Sequence, residues 1–331
     1  MVHVHRAAVG LRMGEFELIR TFFQTQQQDA EAGVALGIGD DCALLSPTPG
    51  QSLAVTTDTL VVGVHFLADD DAASLGHKAL AVNLSDLAAM GARPRWVLLN
   101  LSLPLVDESW LRAFAGGLLA LAQQHGVRLV GGDTVRGPLS FTITALGERP
   151  HDSGQSMLRS GAKVGDWIAV SGVPGEAALG LALRLGRLHL PAPLADQALA
   201  RLHRPNPRVA LGLALRDLAS SAVDISDGLA QDLGHILAAS EVGATLDLAR
   251  LPRSALLDAM PQNEAWQAQL AGGDDYELLF TLPASALDSL QLLPEPVTLI
   301  GRIEAQPGLR LRRADGSLWV LEKQGHDHFA A

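Results

Sequence analysis

The sequence predicts an α/β protein of two domains, from the length of the chain, its aliphatic composition and its alternation of strand-like and helix-like segments. The chain has 331 residues, of which 48% are apolar and only 4% aromatic. A single hydrophobic core usually stops growing at about 250–300 residues, so this length favours two cores. Small aliphatic side chains with few aromatic ones suit the packing of helices on a sheet.

Hydrophobic periodicity predicts the elements of the first domain, which we expect over residues 13–148. Apolar residues at helical spacing predict helices at 14–23, 72–90 and 108–124. Runs of β-branched and aliphatic residues bounded by turn formers predict strands at 52–56, 61–66, 96–103, 128–130 and 140–146. Strands that alternate with helices in this way are typical of α/β domains. Residues 1–12 precede the first periodic segment, and we expect them to be a dispensable extension.

The second domain is expected over residues 149–331, because the stretch 148–165 has the glycine, proline and polar residues of a linker. Periodicity predicts strands at 167–170 and 277–281 and helices at 176–185, 207–220 and 229–240. The turn at 171–176 could present backbone N–H groups to a phosphate. We favour an ordinary turn there, because Glu176 at the start of the helix would repel an anion.

Charge and composition exclude several classes of partner and location. A formal net charge of −11 argues against nucleic acid or anionic lipid, because both require basic patches. No segment stays apolar for the roughly 20 residues that span a bilayer. Residues 1–20 also lack the apolar stretch of a secretory signal. The only cysteine, Cys42, cannot form an internal disulfide, so the composition predicts a cytoplasmic protein.

Aspartates recur at turns and at the ends of predicted elements, next to glycine or other small residues. Six such positions occur: Gly39-Asp40-Asp41, Thr56-Thr57-Asp58-Thr59, Asn83-Leu84-Ser85-Asp86, Gly131-Gly132-Asp133-Thr134, Asp224-Ile225-Ser226-Asp227-Gly228 and Gly272-Gly273-Asp274-Asp275-Tyr276. A single Gly-Asp pair is usually a helix cap or an Asx-turn. Six in one chain instead indicate hard oxygen ligands on sharply turning backbone, the arrangement that holds Mg²⁺ around phosphates.

Asp86 lies on the flank of an apolar helical stripe formed by Leu80, Leu84 and Leu87. A carboxylate at the edge of a buried face requires a hydrogen-bond partner or a metal ion. The sequence leaves both interpretations open: Asp86 is either a metal ligand or a structural residue that caps a neighbouring loop.

Several familiar nucleotide-binding and metal-binding motifs are absent from the sequence. A P-loop requires Gly-Lys followed by Ser or Thr, but the three lysines, Lys78, Lys163 and Lys323, are followed by Ala, Val and Gln. The protein-kinase motifs and a Gly-x-Gly-x-x-Gly dinucleotide loop are also missing. The histidines lack zinc-site spacing, so we interpret His326 and His328 as a surface pair. Any phosphotransfer would therefore depend on carboxylates, metal ions and arginines.

Ordered motifs along almost the whole chain, from Gly14 to Phe329, resemble those of one family. They are GEFELI (14–19), GIGDDCALL (37–45), TTDTLVVGVHF (56–66), HKALAVNLSDLAAMGARP (77–94), GGDTVRGPLSFT (131–142), RSGAKVGDWIAVSG (159–172), RPNPR (204–208), SAVDISDGLAQDLGHI (221–236), GGDDYELLFT (272–281) and the closing HDHF. This set resembles the thiamine-monophosphate kinases, within the superfamily typified by aminoimidazole ribonucleotide synthetase. So many matches in order make a chance similarity negligible.

The resemblance implies roles for individual residues. The metal ligands would be Asp41, Thr56, Thr57, Asp58, Asp86, Asp133, Asp224 and Asp227. The ATP contacts would be Gly132, Asp133, Arg159 and Ser226, with Arg159 also acting as an electrostatic catalyst, and the acceptor contacts would be His65 and Asp274. Two positions depart from the family pattern, which often has glutamate at Asp274 and an aromatic residue near Lys323. The resemblance does not assign the residues that would contact the thiazole ring of the acceptor.

The resemblance also implies a fold and an assembly. The fold would be a two-domain, synthetase-like α/β (α+β) fold with a C-terminal α/β domain. Strands of the N-terminal domain would pair with those of a second subunit and close a β-barrel. A homodimer is therefore expected from the resemblance, which periodicity alone does not indicate.

The implied activity is the ATP-dependent phosphorylation of thiamine monophosphate to thiamine diphosphate, a step of thiamine diphosphate biosynthesis, with several Mg²⁺ ions. Phosphoryl transfer requires mainly alignment and charge neutralisation. A phosphate monoester, with a second pKa of about 6, is already a nucleophile at neutral pH. We therefore expect direct in-line transfer without a covalent nucleophile or a general base.

Alternative functions come from the same superfamily and from a different class. A selenophosphate synthetase-like enzyme would carry a reactive cysteine or selenocysteine near its glycine-rich N-terminal segment, and hydrogenase-maturation relatives end in cysteine. The only thiol of this chain is Cys42. An aminoimidazole ribonucleotide synthetase would differ in its acceptor contacts, which motifs alone do not separate. A non-catalytic nucleotide or metal sensor is disfavoured by the complete acidic set, since a sensor could bind ATP with fewer ligands.

Overall fold

The structure, a computed structural model, describes residues 14–24, 29–151, 157–322 and 325. The described residues divide into two compact units, of which one takes residues from 1–46, 58–79 and 96–144. The other unit takes residues from 47–57, 80–95 and 145–331. The predictions for residues 1–12, Lys323, His326 and His328 lie outside the described residues.

The elements alternate between helix and strand through most of the chain. Helices α1 to α9 span Glu15–Phe22, Ala72–Ala89, Glu108–Gln124, Glu176–Arg184, Ala192–His203, Val209–Ala214, Leu229–Ser240, Ala255–Asp258 and Gln262–Ala271. Strands β1 to β13 span Val34–Leu36, Leu44–Leu45, Gln51–Val61, Arg93–Leu103, Arg128–Arg136, Ser140–Pro150, Trp167–Ser171, Ser221–Asp224, Gly243–Asp247, Leu278–Leu282, Val297–Glu304, Gly308–Arg312 and Leu318–Trp319. Short 3₁₀ helices span Arg159–Gly161, Leu248–Arg250 and Ala284–Leu292.

A four-stranded sheet contains the longer strands of the first half of the chain, in the order β3-β6-β4-β5. Strands β4 and β5 are parallel, and α3 connects them, as parallel neighbours require a crossover. Asp107 begins α3 as its N-cap, because its carboxylate accepts the N–H groups of Ser109 and Trp110. In the register of this pair Asn100 of β4 lies opposite Asp133 of β5. Strand β5 is an edge strand of this sheet, so Asp133 lies at its edge.

A seven-stranded sheet in the second half has the order β13-β12-β9-β11-β7-β10-β8. Helix α7 supplies apolar side chains at helical spacing, Leu229, Leu233 and Ile236, to a core that also contains Val223 of β8 and Leu279 of β10. This packing holds the first turn of α7 at the end of β8. The small cluster β1-β2 forms a separate antiparallel pair.

The predictions of α1 to α4, α7, β7 and β10 agree with the structure to within one or two residues and are confirmed. The strands predicted at 52–56, 96–103, 128–130 and 140–146 exist as β3 to β6, but each prediction is three to six residues too short. The strand predicted at 61–66 is wrong. Strand β3 ends at Val61 because Gly63 adopts φ +78 and the chain folds back, with the N–H of Gly63 donating to Phe66 O. The run of valines had the composition of a strand but not its backbone conformation.

The helix predicted at 207–220 is too long. Helix α6 ends at Ala214, and residues 215–218 form turns. The chain must leave the helix there to enter the sheet, because the N–H of Ser220 donates to Thr281 O and β8 begins at the next residue. No helix among the described residues is long and apolar enough to cross a membrane.

Candidate functional site

Two acidic segments, the 224–228 turn and the 272–277 segment, lie side by side at one end of the seven-stranded sheet. Strand β8 ends at Asp224, which pairs with Leu278 at the start of β10. Beyond this pair the two segments stay joined by backbone hydrogen bonds of 2.8–2.9 Å: Ile225 N to Glu277 O, Tyr276 N to Ile225 O and Asp274 N to Ser226 O. The structure thereby brings Asp274 next to Ser226 and Asp227.

The 272–277 segment has an unusual backbone that fits this close approach. A side chain at Gly273 would place its Cβ 2.4 Å from Ser226 O, so only glycine fits. Asp274 and Tyr276 adopt left-handed φ values of +66° and +52°, which residues with side chains rarely take and which cost about 1–3 kcal/mol each. The Tyr276 hydroxyl donates to Asp274 Oδ1 at 3.1 Å and orients that carboxylate. Such strain is concentrated at functional sites.

Asp232, in the first turn of α7, fixes the 224–228 turn through hydrogen bonds to its backbone. Its Oδ2 atom accepts the backbone N–H groups of Ser226, Asp227 and Gly228 at 3.1, 3.2 and 3.1 Å. The residue is only 3% exposed. Burial, followed by the charge of Asp227, raises the pKa of Asp232 to about 6, against the opposing effect of the three hydrogen bonds.

The side chain of Asp275 caps the N-terminus of α4. One carboxylate oxygen accepts Gly175 N at 2.7 Å and the other accepts Ala177 N at 3.4 Å. Glu176 is buried and pairs with Arg201 at 2.8 Å and with Gln197 at 2.6 Å. Asp275 accepts N–H groups that a phosphate would need, which supports the interpretation of 171–176 as an ordinary turn. The support comes from Asp275 and not from the charge of Glu176, which Arg201 neutralises.

A buried ion pair anchors the end of the 272–277 segment. Arg208 donates two hydrogen bonds to Glu277, at 2.7 and 2.6 Å, in the bidentate geometry that only arginine offers. The Ser171 hydroxyl donates to the same carboxylate at 2.5 Å and accepts Leu278 N at 2.9 Å. Arg208 also pairs with Glu295. The Glu277 carboxylate thereby accepts three hydrogen bonds from two side chains, which fix the backbone that leads back to Asp274.

Asp86, in α2, has a defined partner in the structure. The Thr56 hydroxyl of β3 donates to Asp86 Oδ2 at 2.5 Å. Two residues that the resemblance implies as metal ligands are therefore in contact. The hydrogen bond satisfies the structural interpretation of Asp86, and its role as a metal ligand stays a prediction.

The other unit carries five of the predicted site residues: Asp41, Asp58, His65, Gly132 and Asp133. Asp133 is exposed on β5, where its carboxylate accepts Thr134 N at 2.9 Å. The Nδ1 atom of His65 accepts Val61 N at 3.0 Å, so a neutral ring carries its proton on Nε2. Asp41 is exposed, and its N–H donates to Asp40 Oδ1 at 2.8 Å.

Family models match both halves of the chain. Residues 39–148 match the N-terminal domain, and residues 163–313 the C-terminal domain, of AIR synthase related proteins. The thiamine-monophosphate kinase of Escherichia coli (strain K12) is 51% identical over 324 residues, which cover 96% of this chain and 98% of that one. The chain belongs to the thiamine-monophosphate kinase family. Its fold is therefore the mixed α/β, two-domain AIR synthase-like fold.

Solved structures of this family superpose on the chain. A thiamine-monophosphate kinase from Stenotrophomonas maltophilia K279a has a TM-score of 0.80 and 48% identity, covering 87% of this chain and 92% of that one. AaThiL in complex with AMPPCP and TMP has a TM-score of 0.75 and 31% identity, covering 96% and 97%. These likenesses extend over both domains.

The predicted ligands of the thiamine-monophosphate kinase family fall into separate groups within the two units. One unit joins Asp224, Ser226, Asp227 and Asp274 at the end of the seven-stranded sheet and contains the Thr56–Asp86 pair, Thr57 and the exposed Arg159. Within the described residues, no group of three or more His, Cys, Asp or Glu side chains is arranged to hold a metal ion. Mg²⁺ usually takes one or two carboxylates and completes its shell with water and substrate phosphates, so these oxygen donors fit Mg²⁺ bound together with a nucleotide.

Sequence reasoning missed the supporting roles of five residues that hold the site in place: Arg208, Asp232, Asp275, Tyr276 and Glu277. Each of them lies inside a motif that the family resemblance covers. Their roles depend on distant partners, as Arg208 and Glu277 are 69 residues apart and Gly175 and Asp275 are 100 apart. Only the short spacing from the 224–228 turn to Asp232 was a local signal, since an acidic residue in the first helical turn favours the helix N-terminus.

Proposed function

We propose that this chain transfers the γ-phosphate of ATP directly to thiamine monophosphate and forms thiamine diphosphate. The observation that carries the proposal is the hydrogen-bonded pairing of the 224–228 turn with the 272–277 segment. The resemblance assigns nucleotide and metal contacts to the first of these and an acceptor contact to the second. Relatives named thiamine-monophosphate kinase, and the AaThiL complex with AMPPCP and TMP, support the same pair of substrates.

The acidic set would hold the metal ions. Its members are Asp41, Thr56, Thr57, Asp58, Asp86, Asp133, Asp224 and Asp227. Bound Mg²⁺ would supply positive charge against the phosphate oxygens, which is the main requirement of phosphoryl transfer. The nucleotide would contact Gly132, Asp133, Arg159 and Ser226. Arg159, exposed at the start of a 3₁₀ helix whose backbone is tied to Ser240, would add a fixed positive charge.

The acceptor needs no base from the protein. A phosphate monoester with a second pKa of about 6 is largely deprotonated at neutral pH and can attack directly. His65, with a proton on Nε2, can donate to the acceptor, and Asp274 can accept from it or pair with its positive charge. The protein would thus orient two substrates and neutralise charge, without a covalent intermediate.

A homodimer is proposed from the resemblance and from the edge of the four-stranded sheet. Strand β3 is an edge strand of 11 residues, and its outward apolar side chains Leu53 and Val55 are 45% and 61% exposed. A long edge with exposed apolar residues is suited to pairing with another chain. The sheets are open within the chain, and pairing of this edge with a second copy would close the proposed barrel.

Two further proposals concern organisation and location. We propose domains at 13–148 and 149–331, because the two family models end and begin on either side of the intervening segment. We propose that residues 1–12 are dispensable. A cytoplasmic location is supported by Cys42, the only cysteine, which cannot form an internal disulfide.

The acceptor is tested by incubating the purified protein with ATP and Mg²⁺ in parallel with thiamine monophosphate, thiamine or an aminoimidazole precursor. Mass spectrometry should detect thiamine diphosphate only with thiamine monophosphate, and a chelator should abolish it. Phosphorylation of free thiamine or of the purine precursor would refute the acceptor. ATP hydrolysis without any phosphorylated acceptor would instead favour a sensor or a simple ATPase.

A further inference from the structure

The Asp232 carboxylate stands out because one of its oxygens accepts three consecutive backbone N–H groups. These groups belong to Ser226, Asp227 and Gly228, at 3.1–3.2 Å. Consecutive N–H groups ahead of a helix are a usual binding site for an anion such as a phosphate. Here a side chain of the same chain is the bound anion, so these three donors are already occupied.

A helix cap alone does not explain this arrangement. Asp107 shows the ordinary form: it precedes α3, is exposed and accepts two N–H groups of the helix that follows it. Asp232 instead lies inside the first turn of α7 and reaches back to the turn that precedes the helix. What Asp232 fixes is therefore the conformation of Ser226 and Asp227, more than the end of α7.

The burial of Asp232 also indicates a specific role. Placing a carboxylate in the interior is unfavourable unless hydrogen bonds compensate for the lost hydration. The nearby Asp227 charge adds to this cost, as the two carboxylates repel each other. Three charge-assisted hydrogen bonds offset it. An apolar residue in the core would carry no such cost, but it would leave three N–H groups of the turn without their acceptor.

We propose that Asp232 is a positioning residue for the magnesium-bound nucleotide, fixing the turn that presents the Ser226 hydroxyl and the Asp227 carboxylate. The inference rests on the proposed function, which assigns nucleotide and metal contacts to those two residues. The geometric feature that matters is an acceptor oxygen at the Oδ2 position, not the negative charge. Asparagine can supply such an oxygen, whereas glutamate carries the charge but moves it by one methylene group.

The test compares Asp232→Asn, Asp232→Glu and Asp232→Ala, with Asp107→Ala as a control that removes a helix cap elsewhere. Asp232→Asn should keep the KM for MgATP within about threefold of the wild-type value. Asp232→Glu and Asp232→Ala should raise it by about 10–100-fold, as loss of a residue that orients a metal ligand usually does. The KM for thiamine monophosphate should change much less. Asp107→Ala should lower the melting temperature and leave both KM values unchanged.

Calorimetric titration with the magnesium complex of AMPPCP makes the test independent of turnover. The same order of affinities, with wild type and Asp232→Asn above Asp232→Glu and Asp232→Ala, is expected. A wild-type protein that binds this nucleotide but phosphorylates no thiamine monophosphate would refute the proposed function, while the binding series still tests Asp232.

Three results would overturn the positioning role. Tighter nucleotide binding by Asp232→Ala would mean that the vacated N–H groups bind phosphate and that Asp232 only blocks them. Normal binding by Asp232→Glu with weak binding by Asp232→Asn would mean that charge, not position, is required. Equal nucleotide affinity in all folded variants would mean that Asp232 is only a structural cap of the turn and does not affect nucleotide binding. If Asp232→Ala does not fold, the contrast between Asp232→Asn and Asp232→Glu decides alone.

Discussion

Asp86 is a predicted metal ligand whose partner is known: the Thr56 hydroxyl donates to Asp86 Oδ2. Asp86→Asn keeps an acceptor for Thr56 but replaces a charged oxygen ligand with a neutral one. We expect kcat to fall by about 100-fold, with an unchanged melting temperature, because metal affinity and not packing is lost. Asp227→Asn should lower kcat by a similar factor, also with an unchanged melting temperature.

Asp315 provides the matched control for these variants, because it is an exposed aspartate that accepts hydrogen bonds from Ser317 in a surface turn. Asp315→Asn should retain full activity. The measurement is turnover across a Mg²⁺ titration, with circular dichroism as a check of folding. Near wild-type turnover of Asp86→Asn or Asp227→Asn at saturating Mg²⁺ would exclude the metal role of that residue.

Asp275 leads to a prediction of pH dependence. Burial raises the pKa of its carboxyl well above the ordinary 3.8, and the charges of Glu277 and Asp274 add to this, against the hydrogen bonds from Gly175 and Ala177. A raised pKa in the folded state means that folding favours the protonated acid. The stability that Asp275 contributes is therefore complete below about pH 4 and is lost as the pH rises through the folded-state value.

Asp275→Asn removes this titration and keeps an acceptor for Gly175 N. We expect the free energy of unfolding of the wild type, relative to this variant, to decrease as the pH rises above about 4. Urea unfolding at a series of pH values measures the difference. A difference that is independent of pH would show that the Asp275 carboxyl titrates alike in the folded and unfolded states.

Single residues were only partly predictable from the sequence. The acidic turns were visible because Gly-Asp patterns repeat, and Ser226, Asp227 and Asp274 do lie together in the structure. Their supports were not visible, since a buried carboxylate such as Asp232 has no local signature beyond its place in a helical turn. The Arg208–Glu277 pair depends on how distant segments fold, which residue types do not reveal.

Strand β5 illustrates the element scale, because it contains two neighbouring glycines with different surroundings. A Cβ at Gly132, where φ is +142°, would lie 1.8 Å from Leu99 O of β4, whereas a Cβ at Gly131 would meet only the tip of Leu98 at 3.0 Å. In the absence of nucleotide, we expect Gly132→Ala to lower the free energy of unfolding by more than backbone strain alone, which costs about 1–3 kcal/mol. Gly131→Ala, the control, should cost much less.

Urea unfolding without ligand separates this structural role of Gly132 from its predicted contact with ATP. Equal unfolding free energies for the Gly131→Ala and Gly132→Ala variants would contradict the steric argument. Loss of ATP binding in a Gly132→Ala protein of normal stability would point to a role in nucleotide contact alone.

Helices were more predictable than the sheets. The apolar spacing of α2, α3 and α7 is a local property, so their bounds agree with the sequence reading to within one residue. The order β13-β12-β9-β11-β7-β10-β8 is not local, because neighbours such as β7 and β11 are separated by several other elements. Strands β1, β2, β9, β11, β12 and β13 were not predicted, and the valines after Val61 were mistaken for a strand. Helices α5, α8 and α9 were not predicted either.

At the scale of the whole molecule, the proposed homodimer depends on the exposed edge strand β3. The double variant Leu53→Lys, Val55→Lys places two charges on that edge, and charged residues on an edge strand prevent pairing. We expect the molar mass by light scattering to fall from that of a dimer to that of a monomer. Leu318→Lys, at an exposed position of β13, is the control and should leave the dimer intact. A wild-type protein that is monomeric, or a double variant that stays dimeric, would contradict the proposed edge contact.

The central claim, direct transfer of the γ-phosphate to thiamine monophosphate, is tested most directly by stereochemistry. The substrate is ATP made chiral at the γ-phosphorus with oxygen isotopes, and the configuration at the terminal phosphorus of the thiamine diphosphate product is determined. A single in-line displacement predicts inversion. Retention would contradict the account, because it requires two displacements and hence a phosphorylated group on the protein.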